Sequence, residues 1–268
     1  MQNDSGHSFN YTVKNSFKNQ TRNRQSLAAA IKLKGKLPDA DALPNQIINS
    51  LPSVEFAYFL SFAKRINLSA SESIYRHGDN IESVYFPETA VLSQFQVLED
   101  GRTCEIAMIG REGFVGLPKI FASATANCWT EVSVAGSALK IDGELFRHKF
   151  STNSLLRAKM NEYANYYIEQ LSQRIVCNYF HQIKERFCSW LLMLQDRRKD
   201  NKFSFTHEGI ARLLGVHRPS LSGIAKELQQ KEIISYSRGQ IIILDRKKLE
   251  TSACACCLTS RNHFAATN

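Results

Sequence analysis

The sequence predicts an α+β fold in which an antiparallel β-roll, one long helix and a smaller helical domain follow one another along the chain. Three observations lead to this fold class. Short runs rich in β-branched and aromatic residues, broken by turn residues, occupy residues 66–145. A helical pattern without glycine or proline runs over residues 154–180. Two short helices and an apolar hairpin are then predicted over residues 206–244.

The same patterns divide the 268 residues into five segments, a length that suits two modest domains. The segments are a basic, flexible arm over 1–42, the β-roll over 43–153, the long helix over 154–180, the helical domain over 181–250 and a cysteine-containing tail over 251–268.

Composition excludes several classes of protein. With 43% hydrophobic and 22% charged residues, the chain can bury a core without disulfide staples. It has no run of eighteen apolar residues, and its first forty residues lack the apolar core of a secretory signal. We therefore expect a soluble, cytoplasmic protein with no membrane partner. The seven cysteines are an odd number for such a chain, so most should be reduced thiols.

The net charge of +9 is unevenly distributed. Residues 1–36 carry +6, residues 37–180 carry −4 and residues 181–250 carry +6. This separation indicates that one basic surface lies in the helical domain, where a polyanion can bind. For the arm two interpretations stay open: a solubilising tail, and a segment that contacts nucleic-acid phosphates without sequence preference.

The predicted roll follows short helices over residues 43–62. Asp100-Gly101 lies between two apolar alternations and is the strongest hairpin signal in the chain. Strands are predicted at residues 73–75, 83–86, 91–98, 103–109 and 131–134.

The helix over residues 154–180 carries an apolar stripe at alternating spacings of about three and four residues. Two interpretations fit it: packing against the helix's own domain, or a coiled-coil-like interface between two copies of the chain. The helix is longer than the mean globular helix, and we expect a homodimer. The predicted interface residues are Met160, Tyr163, Ala164, Tyr167, Ile168, Leu171 and Ile175.

Residues 207–226 have the pattern of a helix-turn-helix. Ala211 is small where the two helices touch, and Gly215 tolerates left-handed backbone in the turn. Thr206 is a good N-cap for the first helix, and Pro219 is tolerated only in the first turn of the second. The core-facing residues are Ile210, Leu214, Val216, Leu221 and Ile224.

An apolar hairpin follows at residues 233–244, with its turn at Ser237-Arg238-Gly239. A helix-turn-helix plus a hairpin is a winged helix, which completes the predicted fold class. Its second helix would enter the major groove of double-stranded DNA, and the alternative is a helical pair used only for packing. The predicted DNA-contacting residues are Thr206, His217, Arg218, Ser220, Ser222, Gly223, Lys226 and Arg238.

In this order of elements the sequence resembles the Crp/Fnr family of bacterial transcription regulators, the relatives of the cyclic-AMP receptor protein, over about residues 43–257. The resemblance is strongest in residues 83–88, 98–102, 110–118, 190–197 and 206–245. It implies a cyclic-nucleotide-binding-like roll, a dimerisation helix, a palindromic operator and RNA polymerase as a further partner.

The recognition helix departs from the family's pattern. Arg218 matches a base-contacting arginine of the family, whereas Pro219 and Gly223 stand where the family has a glutamate and a second arginine. We therefore do not expect the family's usual operator sequence.

The roll departs from the family's cyclic-nucleotide-binding members as well. Those members hold the ribose with a Gly-Glu pair and the cyclic phosphate with an Arg-Ser or Arg-Thr pair about ten residues further on. Here Gly116 is followed by Leu117, and residues 120–130 contain no Arg or Lys. A buried cyclic phosphate would lack a cationic partner, so control by cyclic AMP is not expected. A pocket for an unknown effector is predicted at Gly113, Phe114, Val115, Gly116, Leu117 and Cys128.

No cofactor and no metal are predicted. The first cysteine is Cys104, so the N-terminal cysteine cluster of oxygen-sensing relatives has no counterpart. Cys254, Cys256 and Cys257 lack the spacing of structural zinc pairs. An inert C-terminal segment is preferred over a metal or thiol switch.

The preferred function is a homodimeric, sequence-specific DNA-binding transcription regulator. The alternatives are an effector-binding or scaffolding module that acts through protein contacts, and a redox- or metal-responsive regulator that uses the C-terminal cysteines. An enzyme is not expected, because no phosphate loop, metal-ligand set or Ser/His/Asp motif stands out.

Overall fold

The computed structural model describes residues 45–121 and 124–256 of the chain. It is a mixed α+β protein in which a β-roll, a long helix and a winged helix-turn-helix follow in the predicted order. The predicted arm over residues 1–42 and Cys257 of the tail lie outside the described residues. Within those residues, no helix is both long and apolar enough to span a membrane.

The first part of the described chain is the roll. Asn45 caps its first helix by accepting hydrogen bonds from the backbone N–H groups of Ile47 and Ile48. The helices are α1 (Gln46–Asn49), α2 (Ser53–Leu60) and α3 (Gly143–Thr152), with a 3₁₀ helix at Leu117–Ile120. The strands are β1 (Lys64–Leu68), β2 (Ser73–Tyr75), β3 (Ser83–Pro87), β4 (Val91–Val97), β5 (Thr103–Ile109), β6 (Trp129–Val134) and β7 (Gly136–Asp142).

Two antiparallel sheets make up the roll. One has the strand order β1-β7-β3 and the other the order β2-β6-β4-β5. The hairpin predicted at Asp100-Gly101 joins β4 to β5, and Gly101 lies at φ +83°, in the left-handed region that favours glycine. The chain passes from one sheet to the other between β6 and β7, so both sheets enclose a single core.

Aromatic rings form the centre of this core. Phe86 and Phe114 stack with ring centroids 5.1 Å apart, and Phe146 of α3 packs edge-on against both at 5.7 Å. The long helix α4 (Ser154–Phe180) adds Tyr163, whose ring lies 5.0 Å from that of Phe114. Each fully buried phenylalanine contributes about 1.5–3 kcal/mol of hydrophobic free energy, so this cluster fixes α3 and α4 against the sheets.

Three residues of the predicted dimer stripe are buried within the chain, and Met160 and Tyr163 belong to this core. Met160 is completely buried, and Tyr163 and Ala164 are nearly so. A turn of 3.6 residues brings residues 160, 163 and 164 to one side of α4, and that side faces the roll. Their contacts lie within their own protomer, which corrects the prediction that they face a second copy.

The second domain is the winged helix-turn-helix. Its three-stranded antiparallel sheet has the strand order β8-β10-β9. Its helices are α5 (Ile183–Arg198), α6 (His207–Leu214), α7 (Arg218–Gln230) and α8 (Arg246–Ser252). Its strands are β8 (Lys202–Ser204), β9 (Ile234–Ser237) and β10 (Gln240–Ile243).

A second apolar core holds this domain together and reaches into the roll. Trp190 of α5 is completely buried, and Phe205 packs edge-on against it at 5.0 Å. Val91 of β4 and Met108 of β5 belong to the same cluster although they are part of the roll. The two domains therefore share apolar contacts as well as the connecting helix.

Gly136, the first residue of β7, has no room for a side chain. A Cβ atom there would lie 2.5 Å from the backbone nitrogen of Ala90 and 2.5 Å from the carbonyl carbon of Thr89. Because backbone atoms cannot move aside easily, we expect Gly136→Ala to lower the free energy of unfolding by about 1–3 kcal/mol, as measured by urea denaturation.

The matched control is Gly223→Ala on α7. A Cβ atom at Gly223 meets no atom within 4 Å, and alanine is the better helix former, so this variant should gain about 0.5–1 kcal/mol. A Gly136→Ala protein as stable as the wild type would contradict the close approach of β7 to the turn before β4.

Candidate nucleic-acid interface

The first helix of the helix-turn-helix begins and ends as its sequence predicts. The hydroxyl of Thr206 accepts a hydrogen bond from the backbone N–H of Gly209 at 3.0 Å. Gly215 lies at φ +63° after the last turn, and the N–H of Val216 returns to the carbonyl of Ala211 at 3.0 Å. These two caps set the short turn that leads into α7.

The second helix, α7, is oriented by its apolar side. Leu221, Ala225 and Leu228 are buried in the second core. His217 occupies the N-cap position and Pro219 lies in the first turn, where its missing N–H has no helical partner to lose. The rest of the helix surface faces away from the core.

The outward surface of α7 carries most of the predicted DNA contacts. His217, Arg218, Ser220, Gly223 and Lys226 are all exposed. The Arg218 side chain is 63% exposed, and its nearest acidic partner, Glu208, is 3.9 Å away and still more exposed. An exposed pair of this kind is worth at most about 1 kcal/mol, so Arg218 can leave it for a ligand.

Ser222 has a different environment from the one predicted. It is half-buried, and its hydroxyl shares a hydrogen bond of 2.9 Å with Nδ1 of His207 at the start of α6. The His207 ring stacks on Tyr236 of the wing with centroids 4.2 Å apart. Burial, together with the nearby charge of Arg218, lowers the pKa of His207, so its neutral form is favoured. Ser222 and His207 thus join α6, α7 and the wing.

The wing is a tight two-residue hairpin. Ser237 pairs with Gln240, and the two residues between them, Arg238 and Gly239, lie at φ +48° and +75°. Positive φ at both central positions is the type I′ geometry that matches the twist of the strands. It places the exposed Arg238 at the tip of the wing, as the sequence predicts.

Helix α6 rests on the roll. The Thr103 hydroxyl donates to the carbonyl of Arg212 at 2.9 Å, and the Arg212 guanidinium pairs with Glu131 of β6 at 2.8 Å. Gly215 lies so close to β5 that a Cβ atom would be 3.3 Å from the Thr103 carbonyl oxygen. The position of the helix-turn-helix therefore depends on the edge of the roll.

A buried carboxylate lies at the centre of this domain border. Glu105 of β5 is 1% exposed and accepts hydrogen bonds from Arg174 of α4 at 2.8 Å and from the Trp190 indole of α5 at 3.1 Å. The Ser93 hydroxyl donates to it as well. Burial raises the pKa of Glu105, and the attraction of Arg174 offsets this only in part.

Two arginines near the end of α5 make further contacts with the roll. Arg197 pairs with Glu112 at 2.8 Å, and both side chains are more than 90% buried. Arg198 donates to the backbone carbonyl of Thr89 at 2.6 Å. Burial alone lowers the pKa of Arg197, but Glu112 and further acidic groups raise it more, so the guanidinium stays charged.

The predicted effector residues are part of the roll's core. Phe114 and Val115 are buried, and the Val115 backbone bonds to that of Tyr85 in both directions, at 2.8 and 3.0 Å. Gly116 lies at φ +109°, against Val84, and Leu117 begins the 3₁₀ helix. The ring of Tyr163, on α4, packs against Gly113.

Cys128, the last of these residues, precedes β6. It is buried, and burial raises the pKa of its thiol to about 11. The thiol is therefore protonated at neutral pH and acts as a small apolar group in this core.

The remaining residues of the predicted dimer stripe divide into two groups. Tyr167 and Leu171 are half-buried, and the Tyr167 hydroxyl donates to Gln94 of β4 at 2.7 Å. Ile168 and Ile175 are exposed by 59% and 69%. The sequence prediction missed three further exposed apolar residues near the end of α4, namely Val176, Tyr179 and Phe180.

The border residues Glu105, Arg174 and Glu112 were also missed. An acidic residue inside the apolar strand pattern of residues 103–109 was the available signal, because a charge there must find partners if it is buried.

Family comparisons agree with this architecture. A model of the cyclic nucleotide-binding domain matches residues 65–153, and a model of the Crp-like helix-turn-helix domain matches residues 185–252. The matches cover more than half of the chain. A cyclic nucleotide-binding-type roll joined to a helix-turn-helix and a wing is the architecture of a DNA-binding regulator. The chain belongs to the Crp/Fnr family of transcription regulators.

Solved structures share the fold. A Crp/Fnr-family protein from Eubacterium rectale is 20% identical with a TM-score of 0.61, over 77% of this chain and 96% of that one. FixK2 from Bradyrhizobium japonicum is 17% identical with a TM-score of 0.61, over 72% and 98%. The c-di-GMP-responsive regulator CLP from Xanthomonas campestris is 16% identical with a TM-score of 0.58, over 70% and 96%. A search of curated proteins finds no match to this chain.

Proposed function

We propose that the protein is a homodimeric, sequence-specific regulator of the cytoplasm that binds a palindromic operator and answers to an effector other than cyclic AMP. The observation that carries this proposal is the exposed side of α7 beside the wing. Arg218, Lys226 and Arg238 are all exposed there, and they belong to a segment with a net charge of +6. RNA polymerase is the further partner through which a bound regulator would change transcription.

The three cations have different tasks in this proposal. Arg218 lies in the first turn of α7, the part of a recognition helix that contacts base edges, and its planar guanidinium suits a guanine. Lys226, two turns further on, and Arg238, on the wing, contact phosphates. Gly223 leaves the middle of this surface without a side chain, so the operator must differ from that of relatives with an arginine there.

The exposed end of α4 supports a homodimer. Five large apolar side chains are exposed within thirteen residues of one helix, and contiguous apolar surface of this kind marks a protein interface. They are Ile168, Ile175, Val176, Tyr179 and Phe180. A two-fold axis along this surface would place two α7 helices in successive major grooves about 34 Å apart, which gives the operator its palindromic symmetry.

The roll supports an effector other than cyclic AMP. Phe114 and Val115 fill the core at the position of the predicted pocket. Lys119, in the 3₁₀ helix that follows, is buried and pairs with Glu144 at 2.8 Å, so its charge is already matched. Residues 113–121 contain no other Lys or Arg, so a cyclic phosphate bound to this segment would find no unpaired cation.

Arg218 is tested by replacing it with alanine. Operators are first selected with wild-type protein from random duplexes. Arg218→Ala should lose about 1–3 kcal/mol of binding free energy and relax the preference at one base pair in each half-site. The control Arg238→Ala should weaken all sequences alike and reduce the salt slope by about one. Unchanged sequence preference in Arg218→Ala would exclude it as a base reader.

The dimer surface is tested by Ile175→Glu, which places a charge among apolar side chains. We expect sedimentation to show a dimer for the wild type and a monomer for this variant, with loss of binding to a full operator. Leu98→Glu is the matched control, because Leu98 is 55% exposed in the β4–β5 hairpin. A wild-type protein that is monomeric both alone and on DNA would contradict the proposal.

Cyclic nucleotides are tested by calorimetry. Cyclic AMP or cyclic GMP added to the dimer should give no binding heat at micromolar concentrations and should not change operator affinity, because the phosphate lacks a cationic partner. Saturable binding to the wild type that Lys119→Ala abolishes would show that the Lys119–Glu144 pair opens for a nucleotide, against this proposal.

A further inference from the structure

Four side chains with metal-binding atoms meet where the long helix ends. Cys177 lies in the last turn of α4 and His181 directly follows that helix. Cys254 and Cys256 come from the segment after α8. The three sulfur atoms and one ring nitrogen of His181 all lie within 4.8 Å of one another.

The spacing of these atoms is close to that of a filled site. The Cys177 and Cys254 sulfurs are 3.9 Å apart. Around a tetrahedral zinc ion, with bonds of about 2.3 Å to sulfur and 2.0–2.1 Å to nitrogen, two sulfurs are about 3.8 Å apart and a sulfur and a nitrogen about 3.6 Å apart. Since no two of the four atoms are more than 4.8 Å apart, each distance needs to contract by at most about 1.2 Å to fit this geometry.

A buried polar atom in the cluster points to a ligand. The Nδ1 atom of His181 is buried and has no hydrogen-bond partner within the described residues. Such an atom costs about 1–3 kcal/mol unless something satisfies it. A metal ion bound to Nδ1 would satisfy this atom directly. An ion bound to the other ring nitrogen would fix the ring so that a water could bond to Nδ1.

The surroundings suit a site with negative charge. The Gln173 side-chain amide donates to the Cys177 sulfur at 3.6 Å, and the Ser189 hydroxyl lies 3.0 Å from the Cys254 sulfur. Arg186 interacts electrostatically with Cys177, and its Nε is buried without a hydrogen-bond partner in the described part of the chain. Donors and a cation around the sulfurs stabilise metal-bound thiolates.

A reactive thiol fits these surroundings less well. Cys254 is buried, and Cys177 and Cys256 are half-buried. Redox-sensing cysteines instead have exposed sulfurs. A metal ion deprotonates its thiol ligands on binding, so burial of the thiols does not prevent coordination.

We propose that Cys177, His181, Cys254 and Cys256 bind a structural zinc ion. Three thiolates and one imidazole are ligands that zinc prefers, and four protein ligands leave no open position for a substrate. The ion would fasten the segment after α8 to the end of α4. Because the DNA-binding domain lies between these two segments, the ion would hold its two ends together.

The sequence prediction preferred an inert tail over a metal site because it considered the tail alone. Cys254 and Cys256 do not have the spacing of a zinc pair. Their partners, Cys177 and His181, are four positions apart at a helix end, and Cys177 lies 77 positions before Cys254. Only the fold brings the two pairs together.

The test measures zinc in the full-length protein. Wild-type protein, purified without oxygen and passed through a desalting column, should hold about one zinc per chain by mass spectrometry. Replacement by Co²⁺ should give thiolate-to-cobalt charge-transfer bands and the strong visible bands of tetrahedral coordination. Cys177→Ser, Cys256→Ser and His181→Ala should lose the stoichiometric zinc.

Two matched controls separate the site from other cysteines and histidines. Cys104→Ser, on β5, and His148→Ala, on α3, should keep the zinc and the cobalt spectrum. Circular dichroism reports whether each variant folds. If a ligand variant is unfolded, cobalt titration of metal-free wild-type protein decides the question, because it needs no substitution.

Several outcomes would overturn the proposal. One is wild-type protein that retains no zinc and gives no tetrahedral cobalt spectrum. Zinc retained by both Cys177→Ser and Cys256→Ser would place the ion elsewhere. Iron with sulfide in place of zinc, or a Cys177–Cys254 disulfide in the anaerobic protein, would assign the cluster to redox chemistry.

Discussion

The carboxylate of Glu105 is shared by the three parts of the molecule. It belongs to the roll, and its charged and neutral partners, Arg174 and Trp190, belong to the long helix and to the DNA-binding domain. A carboxylate buried without partners costs several kcal/mol. The long helix and the DNA-binding domain must therefore both be in place for the roll to bury Glu105 here. Because desolvation still raises its pKa, the contact selects one arrangement of the domains more than it adds net stability.

The other polar contacts at the domain border have the same form, with one partner on each side. Glu131 holds the end of α6 through Arg212, and Glu112 holds the end of α5 through Arg197. The Arg212 pair is partly exposed and the Arg197 pair is buried, so removing one partner would cost more at the Arg197 pair, where it leaves a buried charge unpaired. A shift of β5 or β6 would reach α6 first, because the helix-turn-helix itself touches those strands.

The sequence was sufficient where a pattern is local. Helix α4 spans the residues its pattern predicts, β5 coincides with the predicted strand, and Thr206 caps α6.

The sequence was insufficient where the element or environment of a residue depends on partners that are distant in the sequence. Strand β1 is mostly exposed and reads as polar, so only its pairing with β7 reveals it. Met160 and Ile175 share one apolar stripe, and only the fold shows that the first faces the roll and the second faces solvent. Ser222 was placed outward because its histidine partner lies fifteen residues earlier.

The contact between Cys177 and Cys254 also sets an order of events during synthesis. Chains fold from the N-terminus as they are made, so the roll and helix α4 are complete while the winged helix is still being added. The whole DNA-binding domain lies between the two cysteines, which are 77 positions apart in the sequence. Their contact can form only after that domain has been synthesised, and non-local contacts of this length form slowly. A chain interrupted anywhere in the winged helix would end before Cys254, so its Cys177 would lack the partner that covers it in the finished molecule.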